Sequence, residues 1–311
     1  MPGAPTCTDA EYVLPLRWPA HREAAELTGY LTDLAGWIDV TVVDGSDPEV
    51  FEEHHWAWSG LVRHVQADSW PGRNGKVAGV VTGVRMARHP LVVIADDDVR
   101  YTAAALAQVL ARLADADLVV PQNVFTCWPW HARWDTGRQL VNRAFGGDYP
   151  GTVAVQRSYL VDGYDGDVLF ENLELVRTVA RRGGVVRWAG DVFVDRVPPE
   201  PAHFWSQRVR QAYDSFAQPG RLVAEAALLP ALVLSARRPR VLAGLGVAAL
   251  GLGELGRRRA GGRTRFPATA ALWTPVWLLE RGVCAWLAIF ARLRGGVRYS
   301  GGRIARAAAS R

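Results

Sequence analysis

Short apolar runs alternate with amphipathic segments over the first two-thirds of the chain. Apolar, β-branched runs that end at turn residues predict strands, and they lie at residues 12–16, 37–43, 61–65, 91–95 and 118–121. Apolar residues that share one face at helical spacing predict helices, and these segments lie at residues 21–35, 76–87 and 103–114. The alternation predicts an α/β fold with a Rossmann-like, mostly parallel, doubly wound sheet and flanking helices.

The last third of the chain has a different pattern, in which long apolar runs are separated by arginine-rich segments. The runs lie at residues 222–236, 241–255 and 268–293. The first two are shorter than the roughly 20 residues that a membrane-spanning helix needs. The third is long enough, but it carries Glu280 and Arg281 at its centre, and an ionic pair is costly in lipid.

This change of pattern predicts two domains, residues 1–220 and residues 221–311. We expect the second to be a hydrophobic, helical, membrane-associated region whose helices lie in the interface. One transmembrane helix in the last run is an alternative, and so is a helical region packed on the rest of the protein.

Charge and composition narrow the class of partner. A hydrophobic content of 49% and a charged content of 22% are typical of a folded protein. The net charge of +5 comes from arginine, which is concentrated between the apolar runs of the last third and therefore favours a membrane surface. No nucleic-acid-binding pattern is present. We expect no nucleic-acid partner, and a place at the cell membrane with residues 1–220 on the cytoplasmic side.

The cysteines and the N-terminus add two further expectations. Cys7, Cys127 and Cys284 are far apart and lack metal-ligand spacing, which predicts reduced thiols. Residues 1–10 lack a basic segment followed by an apolar one, so no secretory signal is expected.

Three adjacent carboxylates, Asp96, Asp97 and Asp98, follow the apolar strand at residues 91–95. At the end of a parallel strand they suit a hard divalent cation, which binds carboxylates together with phosphate oxygens. A solvated turn, or a cap for the next helix, is the alternative.

Asp44 ends the second predicted strand and is followed by Gly45 and Ser46. A carboxylate at this position can accept hydrogen bonds from a nucleobase or ribose, and Gly45 permits close approach of the backbone. An ordinary Asp-Gly turn is the alternative.

Lys76 follows Asn74 and Gly75 at the predicted start of a helix, and it is the only lysine in the chain. A lysine near a helix N-terminus can meet a phosphate group with help from the helix dipole. A flexible loop lysine is the alternative.

Taken together, the motifs VVDGS, NGK and DDD resemble the family 2 glycosyltransferases of the GT-A fold. The resemblance covers residues 11–215 and extends weakly through the tail. It implies an inverting hexosyltransferase that moves a sugar from a nucleotide-sugar donor, a UDP-sugar in the first place, to a hydroxyl of a lipid or glycan acceptor. It also implies Mn²⁺ or Mg²⁺. The implied nucleotide-sugar-binding residues are Asp44, Gly45, Ser46, Lys76, Asp96 and Asp97. The implied metal ligands are Asp96 and Asp98, the outer residues of a DxD motif, with Asp98 preferred as the direct ligand.

The second half of the resemblance bears on the catalytic base. Residues 151–163 resemble the acceptor-side segment, and ENLEL at residues 171–175 resembles the family's EDxxL motif, with Asn172 in place of the usual aspartate. Because an amide cannot accept a proton at neutral pH, we expect Glu171 to act as the base. Glu174 and Asp167 are the next candidates. A simple preference for acids in the first helical turn is the alternative.

Two weaker resemblances follow along the chain. Residues 207–211 resemble the (Q/R)xxRW motif, with Gln211 in place of tryptophan, which implies that Gln207 and Arg210 lie near the diphosphate. A surface amphipathic helix is the alternative. Residues 292–303 faintly resemble the tail of ceramide- and hopanoid-type transferases.

Other functional classes fit the sequence less well. A sugar nucleotidylyltransferase would carry a glycine-rich basic loop after the first strand, where this chain has LPLRWPAHRE. A dinucleotide-binding oxidoreductase would carry GxGxxG. A catalytically degenerate, membrane-associated nucleotide-sugar-binding protein is the remaining alternative, because Asn172 and Gln211 depart from the family motifs.

Overall fold

A computed structural model describes residues 9–18, 24–299 and 302–308. The strands are β1 (Ala10–Leu16), β2 (Asp39–Asp44), β3 (Arg63–Gln66), β4 (Leu91–Ala95), β5 (Val99–Arg100), β6 (Leu118–Phe125), β7 (Thr152–Gln156), β8 (Val186–Arg196), β9 (Val297–Tyr299) and β10 (Gly302–Ile304). The helices are α1 (Ala25–Ala35), α2 (Pro48–Trp58), α3 (Gly75–Met86), α4 (Ala103–Ala111), α5 (Trp130–Ala144), α6 (Glu171–Arg181), α7 (Pro201–Tyr213), α8 (Pro219–Ser235), α9 (Pro239–Arg258) and α10 (Thr274–Leu293). Cys7 and residues 21–23 of the first expected helix lie outside the described residues.

The main sheet has the strand order β3-β2-β1-β4-β7-β6-β8-β5. Strands β3, β2, β1 and β4 are parallel neighbours, whereas the β4–β7, β6–β7 and β5–β8 pairs are antiparallel. The predicted α/β class and its parallel strands are confirmed. The antiparallel pairs were not foreseen, because each contains β5, β7 or β8, and the sequence pattern did not predict these three strands.

Both faces of this sheet are covered by helices. Residues of β1 alternate between two buried clusters, with Tyr12 and Leu14 in one and Val13 in the other, as the two-residue period of a strand requires. Helices α1 and α4 supply apolar residues to the first cluster, and α3 and α6 supply them to the second. Burial on both faces explains why these strands read as continuous apolar runs.

The chain divides into two compact units whose ranges interleave. The first comprises residues 1–123 and 149–196, and the second comprises residues 124–148 and 197–310. The boundary expected near residue 220 therefore falls inside the second unit.

The second unit is helical, with α10 packed against α5, α7 and α8. Helices α5 and α9 approach closely at Gly256, where a Cβ would lie 1.9 Å from the backbone oxygen of Leu140. Among the described residues, no helix combines the length and the apolar character needed to cross a lipid bilayer. The transmembrane helix considered for the last apolar run therefore receives no support.

Glu280 and Arg281 do not form the ionic pair that their adjacency suggested. Glu280 Oε2 accepts a hydrogen bond from Trp134 Nε1 at 3.3 Å and lies 3.7 Å from Arg208 Nη1. Arg281 is fully buried over the Trp277 ring, 5.0 Å from its centroid, and burial lowers the pKa of its guanidinium. Successive residues of a helix point about 100° apart, which separates the two charges.

Cys127 is an exposed free thiol and Cys284 is a buried one.

Candidate functional site in the first unit

The acidic turn, Asp96–Asp98, lies directly after β4. Its backbone is tied to the start of β7, because Asp96 N donates to the carbonyl oxygen of Gly151 at 2.8 Å. Gly151 is required by close approach, since a Cβ there would lie 2.4 Å from Asp96 Oδ2. The Asp96 and Asp98 side chains remain about a quarter exposed, at 24% each.

Lys76 joins the acidic turn to the start of α6. Its Nζ lies 2.5 Å from Asp96 Oδ1 and also forms an ion pair with Glu171 Oε1. Burial lowers the pKa of the ammonium, but the Asp96 and Glu171 carboxylates outweigh burial and hold the pKa above its usual value. Lys76 is therefore a permanent positive charge between two candidate functional carboxylates.

The local structure before α3 explains how Lys76 reaches this position. The Asn74 side chain caps α3 by accepting a hydrogen bond from Lys76 N at 3.1 Å. Asn74 Nδ2 also donates to the carbonyl oxygen of Val168 at 2.9 Å, and Asn74 N donates to that of Gly166. One residue thus fixes the start of α3 against the loop that leads into α6.

Among the described residues, Asp98 has hydrogen-bond partners at one of its two carboxylate oxygens. Arg196 at the end of β8 donates from Nε and Nη2 to the same oxygen, Asp98 Oδ2, at 2.8 and 2.7 Å. Asp98 Oδ1 is buried and has no hydrogen-bond partner among the described residues. A buried carboxylate oxygen without a donor needs a cation or water, so Asp98 fits the role of a metal ligand.

The start of α6 carries the residues expected to supply the base. Glu171 is 8% exposed and pairs with Lys76. Asn172 donates from Nδ2 to the carbonyl oxygen of Pro150 at 3.1 Å, and its Oδ1 lies 3.5 Å from Lys76 Nζ. An aspartate would place a second acceptor against the Pro150 carbonyl, which gives the asparagine at this position a structural reason.

Glu174 and Asp167, the other two candidates for the base, lie in different surroundings. Glu174 is completely buried and its Oε1 accepts from Arg181 Nη2 at 2.5 Å. Asp167 pairs with Arg73, with 2.9 Å between Arg73 Nε and Asp167 Oδ1, and this pair is largely exposed. These contacts are of the kind that stabilise a fold, and the structure brings only Glu171 into contact with Lys76.

Asp44, at the end of β2, is completely buried. Its Oδ1 accepts from Ser46 N at 2.8 Å, and its Oδ2 lies 2.6 Å from His54 Nδ1 and 3.3 Å from His64 Nε2. Burial raises the pKa of Asp44, but the hydrogen bonds from His64, Ser46 and His54 outweigh burial and lower the pKa to about 2. Contact between this carboxylate and a nucleobase, which stays a prediction, would require a histidine to move.

Trp18 connects the ends of β2 and β4. Its backbone N donates to Ser46 Oγ at 2.9 Å, and its indole Nε1 donates to Asp97 Oδ2 at 2.7 Å. Gly45, which is half-buried, donates its N–H to the carbonyl oxygen of Leu16 at 2.8 Å. Ser46 and Asp97, two of the residues expected to bind the nucleotide, are thus linked through Trp18.

Gln207 and Arg210 belong to α7 of the second unit and are both half-buried. Gln207 Nε2 contacts His203 Nε2, and the Arg210 guanidinium lies over the Tyr299 ring at 5.5 Å. Their expected contact with a diphosphate stays a prediction.

Four residues of these clusters were missed by sequence reasoning: Trp18, His54, His64 and Arg196. Arg196 carries no local signal, because it meets Asp98 across 98 positions of the chain. The histidines offered a weak signal, since His54 and His55 lie in the helix that follows Asp44, and His64 lies in the next strand.

A family model described as Glycosyl transferase family 21 matches residues 55–132. This segment is less than half of the chain, and it contains Lys76 and the acidic turn. Among curated protein sequences, none matches the chain.

Solved structures show the same fold. A mannosyltransferase from Pyrobaculum calidifontis, in complex with GDP-Man and Mn²⁺, is similar with a TM-score of 0.54 at 17% identity, over 93% of this chain and 89% of that one. Glucosyl-3-phosphoglycerate synthase from Mycobacterium tuberculosis, in complex with Mn²⁺, UDP and glucosyl-3-phosphoglycerate, has a TM-score of 0.44 at 16% identity, over 63% and 74% of the two chains. At these identities only the fold is established, and the second match is too distant to support an argument.

The chain therefore has a GT-A-like fold. Together with the family 21 match, this fold supports the assignment of a glycosyltransferase. The finer resemblance to ceramide- and hopanoid-type enzymes receives no support from these matches.

Proposed function

We propose that this protein is an inverting, metal-assisted glycosyltransferase that moves a sugar from a nucleoside diphosphate, a UDP-sugar in the first place, to an acceptor hydroxyl. The observation that carries the proposal is the contact of Lys76 with both Asp96 and Glu171. This contact brings the candidate metal-binding turn and the candidate base together at the end of the central parallel strand β4, where α/β folds bind their ligands.

The donor diphosphate would lie at the acidic turn. Asp96 and Asp98 would hold Mn²⁺ or Mg²⁺, which supplies positive charge to the leaving diphosphate. Asp98 Oδ1 has no hydrogen-bond partner among the residues that the structure describes. Lys76 stands beside Asp96 and adds a fixed positive charge that needs no rearrangement during the reaction. Arg196 keeps Asp98 oriented by holding its other oxygen.

Glu171 is the proposed base, which accepts the proton of the acceptor hydroxyl as the oxygen attacks the anomeric carbon. Attack opposite to the leaving diphosphate would invert that centre. Glu171 is buried enough to be shielded from bulk water, and its carboxylate pairs with the Lys76 ammonium.

For the acceptor we propose a lipid or lipid-linked hydroxyl, used at the cytoplasmic face of the cell membrane. Support comes from the second unit, where apolar side chains of α8, α9 and α10 are exposed beside exposed arginines. The exposed apolar residues include Val223, Val233, Leu234, Val247, Leu255, Leu287, Phe290 and Leu293, and the arginines include Arg237, Arg238 and Arg240. Such a surface suits the interface of an anionic bilayer.

Nucleotide release tests the metal site. Purified protein is assayed with a panel of sugar nucleotides, with Mn²⁺, Mg²⁺ or EDTA, and with either membrane lipid extract or soluble glycans as acceptor. We expect release to require metal and to fall by about 10²-fold or more in Asp98→Asn, because charge stabilisation of the leaving group is lost.

The matched control is Asp191→Asn, which removes a carboxylate of the same unit that pairs with Arg112 on the surface. Full activity of a folded Asp98→Asn protein would refute the metal site. Binding of nucleotide without release under any condition would favour the degenerate binding protein, and transfer to soluble glycans alone would remove the lipid acceptor from the proposal.

A second pair of variants tests the base. We expect Glu171→Gln to lower kcat by about 10²- to 10⁴-fold, the range for loss of a general base, while donor binding persists. Glu174→Gln, three residues along the same helix, should retain turnover because Glu174 contacts Arg181. The reverse ranking of the two variants would move the base to Glu174.

A further inference from the structure

The buried cluster at the end of β2 consists of one carboxylate and two imidazoles, Asp44, His54 and His64. The three potential ligand atoms, Asp44 Oδ2, His54 Nδ1 and His64 Nε2, all lie within 4.8 Å of one another. The exposed fractions of the three side chains are 0%, 2% and 0%, so the polar atoms are shielded from bulk water. The proposed sugar-transfer chemistry uses neither histidine.

Three successive elements supply the cluster. Asp44 ends β2, His54 lies within α2, and His64 lies in β3, the parallel neighbour of β2. In the β2–α2–β3 connection, the loops are short and the helix packs back over the two strands. The three side chains therefore converge. A ligand bound by all three would tie the helix to both strands.

Both imidazoles are held in place by aromatic neighbours. The His54 ring stacks on Trp58, with 4.5 Å between centroids and 20° between planes. The His64 ring stacks on Phe51, with 4.6 Å between centroids and 25° between planes. Rings that are fixed in this way present their nitrogens in defined directions, as a preorganised ligand set must.

The outer nitrogen of His64 also has a partner. His64 Nδ1 lies 3.2 Å from His55 Nδ1, so one of these nitrogens can carry a proton that it donates to the other. When His64 Nδ1 carries that proton, its Nε2 presents a lone pair toward Asp44 Oδ2. Metal-binding histidines commonly have such an outer hydrogen bond, which sets the tautomer and the ring orientation.

The spacing of the ligand atoms can be compared with zinc coordination. Bonds of about 2.0–2.1 Å in tetrahedral geometry place neighbouring ligand atoms roughly 3.3 Å apart. The His64 Nε2 to Asp44 Oδ2 distance is already 3.3 Å. The His54 Nδ1 to Asp44 Oδ2 distance is 2.6 Å, so this contact must open by roughly 0.7 Å, the difference from the tetrahedral spacing.

The type of donor atom separates this cluster from the acidic turn. Two imidazole nitrogens and one carboxylate suit zinc and its neighbours among the transition metals, whereas an all-carboxylate site suits Mg²⁺ or Mn²⁺. We propose that Asp44, His54 and His64 bind one zinc-type divalent ion at a site distinct from the acidic turn. Three protein ligands leave a fourth position for water. This inference does not depend on the proposed sugar transfer.

Metal binding by the whole chain is the first test. Protein stripped with a chelator is equilibrated with Zn²⁺ in excess Mg²⁺, and bound metal is measured by mass spectrometry. We expect about one zinc per chain, because Mg²⁺ competes poorly for imidazole, and a rise in Tm on the order of 5 °C. Co²⁺ should give the visible absorption of a four-coordinate ion. Absence of zinc retention by the stripped wild-type chain would overturn the proposal.

Two cluster variants and two controls locate the ion. His54→Phe keeps a ring against Trp58 but removes a ligand, and His64→Gln removes the other imidazole. The matched control, His89→Gln, breaks a similar histidine–aspartate contact elsewhere, since His89 Nε2 lies 2.8 Å from Asp39 Oδ2. We expect both cluster variants to lose the zinc and the Co²⁺ band, and His89→Gln and Asp98→Asn to keep them. Undiminished zinc in both folded cluster variants, or its loss in His89→Gln, would place the ion elsewhere.

Discussion

The ends of β2 and β4 look alike in the sequence and differ in the structure. Each is an apolar parallel strand that runs into aspartate. At the end of β2, Asp44 is buried and surrounded by His54, His64 and Ser46. At the end of β4, Asp96 and Asp98 are partly exposed and face the permanent cations Lys76 and Arg196.

The comparison shows that the partner of a carboxylate decides which chemistry it can perform. At the acidic turn, Lys76 and Arg196 each hold one carboxylate by a single oxygen, and Asp98 Oδ1 has no hydrogen-bond partner within the described part of the chain. At the end of β2, both oxygens of Asp44 are engaged by donors. We therefore expect substitutions at the acidic turn to affect turnover, and substitutions at the end of β2 to affect stability.

The largest effect that separates the two strand ends is expected from Lys76. In Lys76→Met the Asp96 and Glu171 carboxylates lose the cation that lies between them, and the site loses a fixed positive charge beside the leaving diphosphate. We expect kcat/KM for the donor to fall by about 10²-fold, the effect of removing one group that stabilises developing charge. Steady-state kinetics of nucleotide release measures this loss.

Lys76→Arg is the matched control for charge, because it keeps a cation of different shape. It should retain more activity than Lys76→Met. Equal activity of Lys76→Met and wild type would remove Lys76 from the catalytic site and weaken the contrast between the two strand ends.

An intermediate effect, on stability, is expected when the pH is lowered and Asp44 at the end of β2 becomes protonated. The folded-state pKa of Asp44 is about 2 and its ordinary value is 3.8, so the ionised form stabilises the fold above pH 4. That stabilisation, about 2 kcal/mol at neutral pH, is lost as the pH falls from about 4 through about 2.

Urea unfolding of wild type and Asp44→Asn between pH 5 and pH 2 measures this contribution. The difference in free energy of unfolding between the two proteins should shrink as the pH falls. A difference that stays constant over this range would show that Asp44 is not the group that titrates.

The smallest effect is expected at Asp167, an acid that belongs to neither strand end. Its ion pair with Arg73 is solvent-exposed, and such pairs contribute up to roughly 1 kcal/mol to stability. We expect Asp167→Asn to change the free energy of unfolding by less than about 0.5 kcal/mol and to leave kcat unchanged. A large fall in kcat would instead make Asp167 the base and contradict the assignment of Glu171.

Much of the first unit follows from local pattern. The strand at residues 91–95 was predicted to the residue, and the strands at 12–16 and 37–43 are confirmed within two residues at each end. When both faces of a sheet are buried, every residue of a strand is buried, and the strand forms a continuous apolar run that can be recognised in the sequence. The antiparallel pairing of β7, β6, β8 and β5 cannot be recognised from such apolar runs, because strand direction depends on the path of the segments that connect the strands.

The sequence alone determined the α/β class, the acidic residues at two strand ends and the presence of a single lysine at the start of a helix. These features depend on residues that are neighbours in the chain, where periodicity and capping act. Only the tertiary structure decided that Lys76 bridges Asp96 and Glu171, that Arg196 holds Asp98, and that two histidines surround Asp44. Charges and hydrogen bonds act across a few ångströms of space, and folding brings together side chains that the sequence separates by up to about a hundred residues.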